Sequence, residues 1–217
     1  MRATAQFEDQ AGADHGHGDH GGGSRVGSSL RPESVVRAAR IVQYLGDRPI
    51  VLTGMMGAGK TVMGRRLAVH LGLDFVDSDI EIETAAGMSI ADIFARHGEP
   101  FFRDRENRVV GRLIGGGPRI VATGGGAFIH PATRAAIKAG SISVWIKADF
   151  DVLMRRVRKR SNRPLLRTPD PEGTLKRLMA DRYPVYAEAD VTVESRDCSQ
   201  EVMVDHMAAA LAGYLVP

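Results

Sequence analysis

Eight consecutive residues, Gly54-Met55-Met56-Gly57-Ala58-Gly59-Lys60-Thr61, put three glycines, a lysine and a hydroxyl where they can gather around phosphate. They fit the pattern G-x-x-x-x-G-K-[ST], directly after an apolar run and at the start of a helix-forming stretch. A phosphate chain needs several N–H donors converging in a small volume, and glycine lets the backbone turn and approach without a Cβ in the way. The N-terminus of the following helix adds its dipole. Lys60 is placed to bridge the β- and γ-phosphates of a nucleotide, and the Thr61 hydroxyl to hold Mg²⁺. Gly57, Ala58, Gly59, Lys60, Thr61 and Val62 are therefore the candidate nucleotide-binding residues. The plain alternative is a Gly-rich turn that caps a helix; the strand before the motif and the helix after it weigh against that.

Two acids follow the next apolar run. Asp77 and Asp79 stand at the carboxyl edge of a strand, where open α/β sheets bind ligands, and alternate residues of an extended segment share a side. Two acids so placed can divide labour. They could also simply N-cap a helix beginning near Ile80, although capping needs one acid at most. Arg103 sits early in a helix anchored by Phe101 and Phe102, and its planar fork matches a carboxylate bidentately. Taken alone, such a residue is more often a solvated helix arginine or a partner of Glu106 at i,i+3. Gly124-Gly125-Gly126 follows a strand, where bare backbone lets a ring and its hydroxyls come close. The triplets at 21–23 and 115–117 lie in a polar tail and at a helix end.

The elements that must position these groups alternate strand and helix. Short runs rich in Val and Ile read as strands over Pro49–Thr53, Leu73–Val76, Arg119–Thr123, Ile142–Ile146 and Asp190–Val193. Near-continuous apolar runs suit a parallel sheet covered on both faces. Helices are expected over Lys60–Leu71, Ser89–His97, Phe101–Ile114, Pro131–Ala139, Phe150–Arg158, Pro171–Ala180 and Gln200–Leu215. The βαβ repetition predicts a three-layer α/β fold with a five-stranded parallel sheet. A further helix within 32–46 precedes the first strand and is expected to pack outside the core domain of 47–217. Residues 1–31 are rich in Gly, His and Asp and read as a disordered tail. His15, His17 and His20 lie in that tract without a preorganised metal site.

Composition narrows the classes further. Twenty-nine Lys and Arg against 26 Asp and Glu leave a formal charge of only +3, too small to imply nucleic acid as the partner. The run Arg155–Arg167 holds seven basic residues in thirteen but no interleaved aromatic to stack on bases. Cys198 is the only cysteine, so no intrachain disulfide can form. No apolar run reaches the length of a membrane span. A cytoplasmic, monomeric enzyme is the expectation. A guanine-nucleotide switch would carry Asn-Lys-x-Asp, which is absent, and an ATPase module doing work on nucleic acid or protein would end its third strand in Asp rather than in three glycines.

Six separated motifs stand in one order over residues 48 to about 194: Gly54–Thr61, Asp77-Ser78-Asp79, Phe102-Arg103-x-x-Glu106, Gly124–Gly126, Arg163-Pro164-Leu165-Leu166 and Arg182-Tyr183-Pro184-x-Tyr186. In this order they resemble the shikimate kinases, P-loop enzymes of the nucleoside-monophosphate-kinase type. The resemblance implies ATP and shikimate as substrates, Mg²⁺ as cofactor, an acceptor-binding region near 79–115 and a mobile lid near 157–170. It implies Thr61 and Asp77 for the metal and Asp79 as the acceptor's base. Arg103 and Arg182, with Gly124, Gly125 and Gly126, would hold the acceptor, and Glu106 would support the Asp79 side of the pocket. Within the lid segment, Arg163 would stabilise the transferring phosphoryl group and Arg156 would stack on adenine. A gluconate-type sugar-acid kinase shares the P-loop but not the Arg163 and Arg182 signatures; a nucleotide-sensing protein without turnover would not need Lys60, Asp79 and Arg103 intact.

Overall fold

Burial explains the composition of the strands. The computed structural model describes residues 32–158, 168–195 and 198–217. The first half of the chain forms α1 (Pro32–Leu45), β1 (Ile50–Thr53), α2 (Lys60–Leu71), β2 (Asp74–Asp77), α3 (Ser78–Ala86) and α4 (Ile90–Ile114). The second half forms β3 (Arg119–Ala122), α5 (Pro131–Gly140), β4 (Ile142–Lys147), α6 (Phe150–Arg158), α7 (Pro171–Tyr186), β5 (Val191–Glu194) and α8 (Gln200–Leu215). All strand pairs are parallel, in the order β2-β3-β1-β4-β5. Central β1 is buried along its whole length and β4 up to its last residue, so both must be apolar throughout. Edge strand β5 alternates, with Val191 and Val193 inward and Thr192 and Glu194 outward.

Around the sheet the helices fall into groups. α1 packs on α8 and α2, and α2 and α8 pack on each other and on the sheet; α5 packs on β4 and α4. Contrary to the expectation that it stands outside the core domain, α1 is part of the core. Its buried Ala38, Ile41 and Leu45 lie at i, i+3, i+7, one stripe of a helix, and they join the central hydrophobic cluster. Burying side chains such as Ile41 and Leu45 stabilises by about 1.5–3 kcal/mol each, as an upper bound.

Boundaries moved where a cap or a buried side chain outweighed pattern. β2 begins at Asp74 rather than Leu73 because Gly72 closes α2 in a left-handed cap and Leu73 N–H donates to Ala68 O at 2.9 Å. The two helices expected on either side of Gly98 run as one stretch, Ile90–Ile114, broken by Gly98 at φ 77° and ψ 177°. α7 continues past Ala180 through Pro184, because its last turn buries Tyr186 and packs Tyr183 and Tyr186 near Trp145. Among the described residues, no helix is long and apolar enough to cross a membrane. The 1–31 tail and most of the expected lid, Arg163 included, lie outside the described residues.

Candidate active site

β3 and β4 flank β1 on opposite sides, the kind of switch point at which α/β sheets open a crevice beyond their carboxyl ends. The loop leaving β1 there holds Gly54, Gly57 and Gly59 at φ 132°, 82° and 103°, conformations that side chains with a Cβ rarely adopt. A Cβ on Gly54 would also lie 2.7 Å from the Ile146 carbonyl oxygen. Gly59 caps α2 without a side-chain acceptor, so the first-turn N–H groups are left for an anion. Lys60 Nζ donates to the carbonyls of Gly54 at 2.8 Å and Met55 at 3.0 Å, which lays its ammonium over the loop. Residues 56–63 line a cleft of about 480 Å³, with Asp77, Asp79, Thr123, Gly124 and Gly125 on one wall. Arg156 and Ser195 stand at another part of it, with Cys198, Gln200 and Met203 near the start of α8.

Asp77 does what the plain reading allowed and more. Its Oδ1 accepts the Asp79 N–H at 3.1 Å and caps α3, while its Oδ2 accepts from Thr61 Oγ1 at 2.9 Å. One acid therefore starts the helix and ties it to the P-loop, and Asp79 is left to line the cleft. The Thr61 and Asp77 oxygens are hard donors beside the phosphate cradle. They fit Mg²⁺, which typically takes one or two protein oxygens and completes its shell with phosphate and water. No cluster of three or more His, Cys, Asp or Glu that could hold a metal occurs among the described residues.

The Gly124–Gly126 loop gathers the remaining groups because it has no side chains. A Cβ on Gly124 would sit 2.8 Å from Asp79 Oδ1 and 3.3 Å from Glu106 Oε1. One on Gly126 would sit 2.6 Å from Arg103 Nη1. Asp79 from α3 and Arg103 and Glu106 from α4 thus converge on one stretch of backbone. Glu106 is fully buried, accepts from Arg103 Nη1 at Oε2 (2.6 Å) and has no hydrogen-bond partner at Oε1 among the described residues. Burial raises its pKa above the ordinary carboxylate range, an effect Arg103 only partly offsets. For Arg103 burial works against the charge, but Glu106 and Glu99 outweigh it and its pKa is raised.

Arg182 and Tyr186 complete this side from α7. Arg182 Nη1 donates to the Gly125 carbonyl at 3.4 Å, and the buried Tyr186 hydroxyl donates to the same oxygen. Burial drives the Tyr186 pKa up to about 12, with Arg182 opposing, so it stays a neutral donor. Tyr186 was visible in the sequence as part of a motif, but nothing in the pattern said that its hydroxyl holds the glycine loop. Arg156 Nη1 donates to the carbonyls of Ala58 at 3.1 Å and Gly57 at 3.4 Å and to Ser195 Oγ at 2.9 Å. The Ser195 contact had no sequence signal.

A family model described as shikimate kinase matches residues 56–212. The shikimate kinase of Rhodopseudomonas palustris is 58% identical over 177 residues, 82% of this chain and 87% of that one. That of Bradyrhizobium diazoefficiens is 56% identical over 177 residues, 82% of this chain and 86% of that one. The solved shikimate kinase from Acinetobacter baumannii in complex with shikimate superposes with a TM-score of 0.76 at 34% identity, covering 82% of this chain and 99% of that chain. A gluconokinase from Sinorhizobium meliloti, at 19% identity and a TM-score of 0.51, is alike in fold alone. By sequence, by extent of coverage and by fold, this chain belongs to the shikimate kinase family.

Proposed function

We propose that this chain transfers the γ-phosphate of ATP to the 3-hydroxyl of shikimate, giving 3-phosphoshikimate and ADP in aromatic amino-acid (chorismate) biosynthesis. The observation that carries the reading is the convergence of Asp79 and Arg103 on the bare Gly124–Gly126 loop, beside the phosphate cradle. The acceptor oxygen bonds to the γ-phosphorus, the bond from that phosphorus to the ADP oxygen breaks, and Asp79 takes up the hydroxyl proton. Arg103 and Arg182 hold the acceptor carboxylate, and Gly124, Gly125 and Gly126 let the ring approach. Gly57, Ala58, Gly59, Lys60, Thr61 and Val62 cradle the phosphates, with Arg156 at the adenine end.

Thr61 and Asp77 would hold Mg²⁺, which supplies charge neutralisation on the phosphates when bound. Arg163 is assigned to the transferring phosphoryl group on the family motif alone, within the lid that keeps water from competing as acceptor. The enzyme is read as a cytoplasmic monomer with no nucleic-acid or membrane partner.

An acceptor panel with MgATP and coupled ADP release tests the proposal, with shikimate, quinate, gluconate and nucleoside monophosphates compared side by side. Shikimate is expected to give the highest kcat/KM by a wide margin. Preference for gluconate would replace the reading with a sugar-acid kinase, and ATP binding without turnover of any acceptor would replace it with a nucleotide sensor.

A further inference from the structure

A second cleft, of about 400 Å³, opens between α3 and α4 and contains none of the residues assigned above. At about 100° per residue, Arg103 stands about 200° round α4 from Phe101, whereas Arg105, Arg108, Val109 and Arg112 share Phe101's face. That face and α3 form the cleft. Its floor is apolar, with Ile82 and Val109 both buried and Phe101 half-buried. The His97 imidazole lies 4.6 Å and the Arg105 guanidinium 4.7 Å from the centre of the Phe101 ring.

Three arginines rim this floor, and two of them are neutralised. Arg108 pairs with Asp104 at 3.1 Å and Arg112 with Glu81 at 2.8 Å. Arg105 has no carboxylate partner among the described residues. One uncompensated guanidinium beside an aromatic face asks for a single negative charge attached to a flat apolar body. The volume suits one small molecule, not a helix or a strand of a partner.

We propose that this cleft binds a small planar carboxylate, with its ring against Phe101 and Ile82 and its carboxylate on Arg105, and that occupancy changes the affinity for shikimate. The coupling follows from the walls. α3 carries Asp79 in its first turn, and the opposite face of α4 carries Arg103 and Glu106, so a ligand that spreads the two helices alters how these groups meet at Gly124. The coupling rests on the proposed function; the binding does not.

Benzoate is the probe and benzamide its neutral control, titrated by ligand-observed NMR into the full chain with and without excess shikimate. Benzoate is expected to bind saturably in both conditions, with benzamide roughly tenfold weaker or more. Arg105→Gln should weaken benzoate to a similar degree while Tm and the kcat measured without benzoate stay unchanged. Bound benzoate should shift KM for shikimate and leave KM for ATP where it was. Absence of benzoate binding, displacement of benzoate by shikimate, or equal binding by Arg105→Gln overturns the site. An unmoved KM for shikimate overturns the coupling. Should the chain fail to turn over shikimate at all, the proposed function falls while the titration still decides the cleft.

Discussion

Arg103 and Glu106 stand one helical turn apart on α4, with the arginine's Nη1 2.6 Å from the glutamate's Oε2. The Glu106 side chain is 1% exposed and that of Arg103 20%, so a buried carboxylate stands behind a guanidinium that lies against Gly126. The other edge of the fork, Nε and Nη2, reaches Glu99 at 3.2 and 3.0 Å. Glu99 is exposed and holds this edge of the fork, which the proposed function would give to the acceptor's carboxylate. On that reading Glu106 orients the guanidinium and Glu99 competes with the acceptor for it. Glu99→Gln is therefore expected to lower KM for shikimate, by up to about fivefold given what exposed ion pairs contribute, with KM for ATP unchanged. Steady-state kinetics with each substrate varied in turn checks this, and a rise in KM for shikimate would make Glu99 a support of the site instead of a competitor.

Arg103→Lys keeps the charge and loses the fork. A charge-assisted hydrogen bond contributes about 1.5–3 kcal/mol, so KM for shikimate should rise by about tenfold to a hundredfold with little change for ATP. The companion measurement replaces the acceptor carboxylate by a neutral amide. The parental enzyme should discriminate strongly against the amide and the variant much less, because the contact under test is already damaged. Equal discrimination by both, or a defect confined to ATP, would return Arg103 to the surface-helix reading.

Glu106 adds a pH dependence whose sign follows from its burial. Its pKa is raised by desolvation, so the folded state holds this proton at pH values where an unfolded chain has released it. Stability from this group is fully present below the ordinary glutamate pKa and is lost as pH rises through the raised value. Glu106→Gln cannot ionise and should lack that loss. Thermal unfolding of both proteins between about pH 4 and pH 8 should show the difference in Tm shifting in the variant's favour as pH rises. Parallel curves would mean that Arg103 fully compensates the buried charge.

What the sequence made legible was the chemistry that depends on local spacing. The P-loop, the strand–helix alternation and the pairing of Asp77 with Asp79 needed only neighbours along the chain, and the structure puts Lys60, Thr61, Asp77 and Asp79 on one cleft. A helix end marked by Gly was also readable, as α2 and its cap Gly72 show. Where long-range packing decides, pattern was not enough. α1 reads as an isolated amphipathic helix until α8 and α2 are there to cover Ile41 and Leu45. α7 reads as ending before Pro184 until Tyr186 finds the Gly125 carbonyl, 61 positions away. Asp79 of α3 and Glu106 of α4 meet at Gly124, and Arg103 of α4 at Gly126, on the loop after β3, a convergence that no spacing in the chain encodes.

Lys60→Ala and Asp79→Asn should fail in different ways. Loss of the Lys60 ammonium should weaken nucleotide use and catalysis together, since the proposed function places it on the phosphates. Asp79→Asn should leave ATP binding close to normal while kcat collapses, since the amide can accept a hydrogen bond but is a poor proton acceptor. Nucleotide titration by calorimetry beside steady-state rates separates the two. Near-parental turnover of shikimate by Asp79→Asn would remove it as the general base.

The glycine loop offers a test in which stability and substrate affinity separate. Gly126 lies outside the left-handed backbone region, so alanine meets no backbone strain there, but its Cβ would sit 2.6 to 2.9 Å from three atoms of the Arg103 guanidinium. Something must shift, and the flexible arginine end shifts most readily. Gly126→Ala should therefore raise KM for shikimate by roughly tenfold or more, the scale of a lost charge-assisted contact, while Tm and KM for ATP hold. Gly72 is the opposite case: its cap sits at φ 66° with nothing within 4 Å of a Cβ. Gly72→Ala should lose about 1 kcal/mol of stability to backbone strain and keep parental kinetics. The pair is read by thermal unfolding and by shikimate saturation curves on both variants. If Gly126→Ala lowers Tm and leaves KM for shikimate alone, then the bare loop serves packing, and Arg103 does not depend on it to reach the acceptor.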